Sequence, residues 1–189
     1  IMNVVLEKDI QNFRKTFPLG EDFRDAKFLI TGATGLIGST LIYCLLSLNK
    51  KISILAPVRS KKKALLLFEE LSSPFLEIIE CDIANFDYIS LGKIDYIIHC
   101  AAPTASNFFV EQPLETFYSI LNPSKTLLEY ARNNEIKGFV YLSSIEVYGS
   151  ILDDKIKISE NNQGFIETMS VRSSYPMAKR TVENLCCLY

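Results

Sequence analysis

The sequence predicts an α/β protein, a doubly wound parallel sheet in three α/β/α layers. Three observations predict it. Short runs that are apolar almost throughout alternate with longer stretches of helical spacing, which is the pattern of parallel strands buried on both faces and joined by helices. A glycine-rich turn, Thr31-Gly32-Ala33-Thr34-Gly35-Leu36-Ile37-Gly38, stands where the first such run ends and the first long helical stretch begins. Hydrophobic residues make up 48% of the chain and charged residues 22%. That is enough apolar surface for a real core and too much for disorder or a low-complexity scaffold.

The elements follow in order. Residues from Val4 to Phe17 carry apolar side chains at helical spacing (Val5, Ile10, Phe13, Phe17) among charges. They read as a separate amphipathic helix, ended by Pro18-Leu19-Gly20. This helix and its linker, residues 1–24, precede one domain over residues 25–189, as the length of 189 residues allows. Strands are expected at Ala26–Thr31, Ile52–Pro57, Leu76–Cys81, Ile94–Cys100 and Phe139–Ser143, and helices at Leu36–Leu48, Lys61–Leu71, Leu114–Asn133 and from Tyr175 onward. The polar stretch Ile151–Val171, with Asn161-Asn162 and Gly164, reads as a long loop. Loops of that length in a compact domain are usually functional.

Charge and composition exclude several classes. Twenty-two acids against twenty bases give a net charge of −2, without the basic excess that a nucleic-acid surface needs. Apolar runs are broken by charge well short of 18 residues, so no membrane helix is expected, and no secretory leader is readable. Five cysteines (Cys44, Cys81, Cys100, Cys186, Cys187) form no C-x-x-C pair and read as buried, reduced thiols of a cytoplasmic protein. His99 is the only histidine, which argues against a histidine-based metal site and a Ser-His-Asp hydrolase. No metal is expected.

The glycines Gly32, Gly35 and Gly38 are spaced G-x-x-G-x-x-G at a strand-to-helix turn. A dinucleotide pyrophosphate needs such a turn: glycine for the tight bend, for backbone approach and for helix–strand packing, with free N–H groups of the helix start on the phosphates. Gly32, Thr34, Gly35, Leu36, Ile37 and Gly38 are therefore candidate cofactor contacts. An acid that holds a ribose 2′-hydroxyl belongs about 20 residues on, at the end of the second strand. Val58 stands there, followed by Arg59 and Lys61-Lys62-Lys63. With no carboxylate to repel a 2′-phosphate and Arg59 to pair with it or stack on the adenine, the expected cofactor is NAD(P), with NADP favoured over NAD. Asp82, just after the third strand, is placed to accept from an adenine amino group.

The fifth strand ends in Ser143-Ser144-Ile145-Glu146-Val147-Tyr148-Gly149, and after the loop comes Ser174-Tyr175-Pro176-Met177-Ala178-Lys179. Tyr175 and Lys179, at i and i+4, share a helix face. An unperturbed tyrosine is only about 0.1% phenolate at pH 7, and lowering its pKa by three units takes about 4 kcal/mol of anion stabilisation, within reach of a nearby ammonium. Ser144 would hydrogen-bond the oxygen whose proton the phenolate takes.

On these motifs the sequence resembles extended short-chain dehydrogenases/reductases, of the NAD-dependent epimerase/dehydratase group that modifies nucleotide sugars. The resemblance runs through TGATGLIGS (Thr31–Ser39), CD (Cys81-Asp82), HCAAP (His99–Pro103), SSIEVYG (Ser143–Gly149) and YPMAK (Tyr175–Lys179). It implies a Rossmann-type fold and a Ser144, Tyr175, Lys179 catalytic triad with Asn122 orienting the lysine, directly or through water. It also implies cofactor contacts from Ile83, Ala101, Ala102, Asn122, Tyr175 and Lys179, a nucleotide-sugar substrate and a homodimer. Nearest within the group are UDP-glucuronate decarboxylases, by PTAS (Pro103–Ser106), by Glu146, which in such enzymes serves as an acid/base, and by VRSSYPMAKRTVENLC (Val171–Cys186). Ile145 stands where sugar dehydratases of this type carry Asp. Members of the group continue past the tyrosine helix into a further strand and a substrate domain. The 189 residues alone are thus expected to be truncated before these parts and inactive. An NADPH-dependent carbonyl reductase and a non-catalytic dinucleotide sensor are the alternatives; a sensor has no need of an intact Ser144, Tyr175 and Lys179.

Overall fold

The computed structural model describes residues 4–18, 21–71, 73–150 and 157–189. Its elements are α1 (Val4–Thr16), β1 (Lys27–Thr31), α2 (Leu36–Ser47), β2 (Ser53–Val58), α3 (Lys61–Leu67), β3 (Leu76–Glu80), β4 (Tyr96–His99), α4 (Ser106–Glu111), α5 (Pro113–Asn133), β5 (Gly138–Tyr141) and α6 (Ser174–Leu188). Single 3₁₀ turns stand at Tyr88–Leu91, Ile145–Tyr148 and Val171–Ser173. The strands make one sheet in the order β3-β2-β1-β4-β5, with β1 parallel to β2 and β4, and β2 parallel to β3. This is the doubly wound Rossmann-like sheet expected from the alternation of elements. Helix α4 was not legible: its six residues are too few to show a helical period. Among the described residues no helix is long and apolar enough to cross a membrane, and no cluster of His, Cys, Asp and Glu is built to hold a metal ion.

By its backbone contacts the chain divides into two compact units, Ile1–Ala101 with Tyr130–Val140, and Ala102–Glu129 with Tyr141–Tyr189. In the first, β1 and β2 are buried along nearly their whole length, so neither strand needs the polar alternation of a half-exposed one. Phe28, Ile30, Ile42, Leu45, Ile54 and Phe68 are central to the core. Helix α1 lays Leu6, Ile10, Phe13 and the following Phe17 against that core. The stripe therefore starts at Leu6 and not at Val5, which is 64% exposed. A 4-3-4 spacing keeps one helix face, and Val5 falls off it. Aromatic rings continue inward from the stripe: Phe13 stacks on Phe17 and Phe17 on Phe23, which meets both Phe28 of β1 and Tyr96 of β4. Leu19 and Gly20, the expected end of this segment, lie outside the described residues.

Asp95, just before β4, ties three strand starts together. Its carboxylate accepts from the Lys27 N–H at 2.8 Å and pairs with the Lys137 ammonium at 3.0 Å. Its backbone N–H donates to Lys27 O, and its carbonyl accepts from Lys137 N–H.

The second unit centres on Phe109, Ile120, Tyr175, Ala178 and Val182, with Phe117, Leu121 and Tyr141 against them. Of the long loop, residues 151–156 lie outside the described residues. Over residues 157–170 it has no helix and only a bridge, Phe165 opposite Ser150. Arg180 of α6 holds this arrangement by donating to Val147 O at 2.5 Å and Gly164 O at 2.9 Å. All five cysteines are free, but only Cys44 is buried and Cys187 is exposed, so uniform burial of the thiols does not hold.

Burial acts to raise the Asp95 pKa, but the Lys27 N–H and the Lys137 ammonium together outweigh it and hold the carboxyl below its usual value. A depressed folded pKa means stability present in full above the unfolded value of about 4 and lost as pH falls through the folded value. Asp95→Asn should cost about 1 kcal/mol at pH 7, the scale of a charge-assisted bond weakened to a neutral one. Urea denaturation of both proteins should show the gap closing as pH drops below about 4; a gap unchanged with pH would remove the carboxylate's charge from the explanation.

Candidate functional site

The strand order reverses at β1: β2 and β3 lie to one side, β4 and β5 to the other. In open α/β sheets ligands bind at such a point, beyond the carboxyl ends of the strands. The glycine turn leaves β1 there. Gly32 has φ +67°, and a Cβ on it would stand 2.8 Å from Ala101 N and Cys100 C. A Cβ on Gly38 would stand 2.3 Å from Gly32 O, so α2 can pack on the turn only because that atom is missing. Gly35 caps α2 with extended backbone and without any side-chain cap bond. Helix α2 therefore begins with N–H groups that no side chain caps, beside the exposed Thr34, Leu36 and Ile37. A cradle a Cβ would fill and an uncapped helix start both fit a pyrophosphate.

Around this turn the strand ends bring further expected residues. Arg59, after β2, is exposed and pairs with no carboxylate among the described residues. Asp82 is exposed, but its oxygens already accept from Ala84 N–H at 3.0 Å and Asn85 Nδ2 at 2.7 Å. The Ile83 carbonyl accepts from the Tyr88 hydroxyl. His99, 1% exposed, lies with Nδ1 2.6 Å from Thr31 Oγ1, the same oxygen that accepts from Ala101 N–H at 3.3 Å. Thr31 and His99 are register partners, so this histidine pins β1 to β4 and shapes the floor under Ala101. A carboxylate overlooked from sequence also stands here: Glu80, the last residue of β3, accepts from Lys61 N–H at 2.8 Å.

In the second unit Tyr175 and Lys179 share the inner face of α6, 8% and 3% exposed. The Lys179 ammonium donates to Leu142 O at 2.7 Å and lies 4.7 Å from the Tyr141 ring centroid and 5.9 Å from that of Tyr175. A charge so buried persists only when paired or hydrogen-bonded. Ser144 follows Leu142 by two residues and caps the 3₁₀ turn, accepting from Glu146 N–H at 3.2 Å. Asn122 is exposed and its side chain makes no hydrogen bond among the described residues, so no direct bond joins it to Lys179. Ala102, partly buried, packs on this unit's core.

Two partners were not anticipated. Glu146 accepts from both terminal nitrogens of Arg172, Nη2 at 2.8 Å and Nη1 at 2.9 Å, and this pairing raises the Arg172 pKa further. The Arg172 guanidinium lies 5.1 Å from the Phe109 ring centroid. Phe109 in turn stacks on Tyr175, with centroids 4.2 Å apart and rings 9° from parallel. Arg172 lies three residues before Tyr175 in the motif stretch, a signal that was legible; Phe109, in the short unforeseen α4, left none.

The chain is 26% identical over 172 residues to UDP-glucuronic acid decarboxylase 1 of Arabidopsis thaliana, covering 91% of this chain and 38% of that protein. It is 31% identical over 128 residues to a UDP-glucose 4-epimerase of Klebsiella pneumoniae, covering 65% of this chain and 92% of that sequence. Among solved structures, a UDP-N-acetylglucosamine 4-epimerase from Methanobrevibacter ruminantium matches with a TM-score of 0.71 and 26% identity over 87% of this chain and 50% of that one. The chain thus spans about four-tenths of the length of the Arabidopsis relative and half that of the Methanobrevibacter one. Because the family model matches residues 28–189, from the first strand through the tyrosine helix, the chain belongs to the NAD dependent epimerase/dehydratase family.

Proposed function

We propose that this chain carries the cofactor-binding and catalytic residues of a nucleotide-sugar epimerase, dehydratase or decarboxylase. The observation that carries the reading is the buried Lys179 ammonium, held at Leu142 O beside Tyr175 and two residues from Ser144. The relatives named above act on UDP-sugars by their names, which supports a nucleotide-sugar substrate. Gly32, Thr34, Gly35, Leu36, Ile37 and Gly38 of the first unit would hold the pyrophosphate of NAD(P), with Arg59, Asp82, Ile83 and Ala101 toward its other parts. On Arg59 and Val58 alone the choice falls to NADP. When bound, the dinucleotide supplies a reversible hydride acceptor.

The side chains then divide the work. Tyr175 as phenolate takes the proton from a sugar hydroxyl while the carbon bearing it gives up its hydrogen with both electrons, leaving a ketone. Lys179 stabilises the phenolate by its charge, and Ser144 hydrogen-bonds the sugar oxygen as it becomes a carbonyl. The ketone acidifies the neighbouring carbon, which opens epimerisation, dehydration or decarboxylation. Glu146 is the second acid/base, and its two hydrogen bonds from Arg172 must loosen before it moves a proton. Leu114 and Tyr118, one turn apart on α5 and both exposed, supply apolar surface for a homodimer. Five free thiols support a cytoplasmic setting.

Two measurements test this. Gly35→Val, at the glycine where an added Cβ meets only Gly32 O at 3.2 Å, should abolish NAD(P) binding by calorimetry while circular dichroism stays native; retained affinity would remove the turn from the cofactor site. Tyr175→Phe should keep cofactor binding and lose about 10²-fold or more in turnover of a UDP-sugar by the whole protein, the usual scale of general acid–base catalysis. Lys179→Met should lose turnover as well, and Ser144→Ala should be milder. A Tyr175→Phe protein of near-native rate would pass the proton transfer to Glu146.

A further inference from the structure

We infer that Tyr141 is a positioning residue for the proton transfer, its ring face holding the Lys179 ammonium as an uncancelled charge beside Tyr175. The inference deepens the reading that Lys179 stabilises a Tyr175 phenolate, and rests on it. Tyr141 is the last residue of β5. The Lys179 ammonium lies 4.7 Å from its ring centroid, nearer than the 5.9 Å that separates it from the Tyr175 centroid. The same ammonium donates to Leu142 O at 2.7 Å. Lys179 is 3% exposed, so water does little for this cation. An aromatic face attracts a cation most strongly when water is excluded in this way.

The kind of partner decides what the cation can do. A carboxylate against a buried ammonium makes a nearly neutral pair, and little positive charge is then felt at a neighbouring phenol. A carbonyl dipole and a ring quadrupole stabilise the cation and carry no net charge. The charge therefore stays available to a phenolate at Tyr175, one turn earlier on the same helix face. Other ionisable groups surround the pair. Arg172, whose pKa Tyr175 helps to raise, is bound to Glu146, and Glu183 and Cys186 act on Tyr141 from further along α6. Burial, followed by Cys186, Tyr175 and Glu183, pushes the Tyr141 phenol far above its ordinary value. Tyr141 thus stays neutral while Tyr175 titrates, and its ring rather than its hydroxyl is the part that acts. Without that ring the ammonium is less stable beside Tyr175, the phenolate loses its support, and Tyr175 ionises at higher pH.

Ultraviolet absorbance of tyrosinate, followed against pH in the whole protein, tests this without substrate or cofactor. Subtracting the titration of the matched Tyr175→Phe protein isolates Tyr175. Tyr141→Phe keeps the aromatic face and should leave the Tyr175 midpoint in place. Tyr141→Leu should raise it by about one pH unit, the scale of a desolvated cation–π contact. Fluorinated phenylalanines at position 141 keep the shape of Phe while drawing electrons from its face. The midpoint should climb with each added fluorine, a readout that does not depend on the leucine protein folding. One midpoint shared by Phe, its fluorinated forms and Leu overturns the inference and leaves Lys179 as the phenolate's partner. So does a Tyr141→Phe shift as large as that of Tyr141→Leu. A midpoint that Lys179→Met fails to raise overturns that partnership and the inference together.

Discussion

Gly32 has no room for a side chain, and the first unit is arranged around that fact. The backbone leaves β1 with φ +67°, and a Cβ there would strike the chain at Cys100 and Ala101 just after β4. The missing atom lets the turn lie directly on the end of the neighbouring strand. Helix α2 can then start with only four residues between it and β1 and fold back until Gly38 touches Gly32 O. Its uncapped N–H groups are thereby set at the carboxyl edge of the central strand, where the sheet changes direction. Thr31 and His99 fasten the same two strands from beneath with one short buried hydrogen bond.

The second unit is organised by a charge that burial penalises. Lys179 is nearly inaccessible, and a bare ammonium in such a place is costly. Leu142 O and the face of Tyr141 compensate it. That requirement couples α6 to Tyr141 and Leu142, so Tyr175, one turn before Lys179, and Ser144, two residues after Leu142, are placed by the same contact. Phe109 and Arg172 complete the surroundings: a ring stacked on Tyr175 and a cation shared between that ring and Glu146. The Glu146 carboxylate is thereby held in one orientation by two charge-assisted hydrogen bonds.

Helix α1 stands apart from these constraints. It precedes the residues that match the family, and it is joined to the core through rings, from Phe13 and Phe17 to Phe23, Phe28 and Tyr96. Its sequence shows one apolar stripe and charges elsewhere, the composition of a helix that covers a surface, and its contacts are of that kind.

Much of this protein was legible in one dimension because its signals are local. Strands buried on both faces must be apolar along their length, helices must repeat at 3.6 residues, and a turn as tight as Gly32–Gly38 admits few side chains. The sheet, the glycine turn and the Tyr175–Lys179 face follow from those rules. Elements shorter than a helical period, such as α4, carry no such signal, and neither does the difference between Val5 and Leu6 as the edge of a stripe. Pairings across the chain were decided only by the tertiary structure. Glu80 meets Lys61 because β3 lies in register beside β2, and Glu146 meets Arg172 because the residues after the loop fold back onto a 3₁₀ turn. Electrostatic partners are chosen by distance in space, which a sequence does not record, whereas backbone conformation and burial are written into the residues themselves.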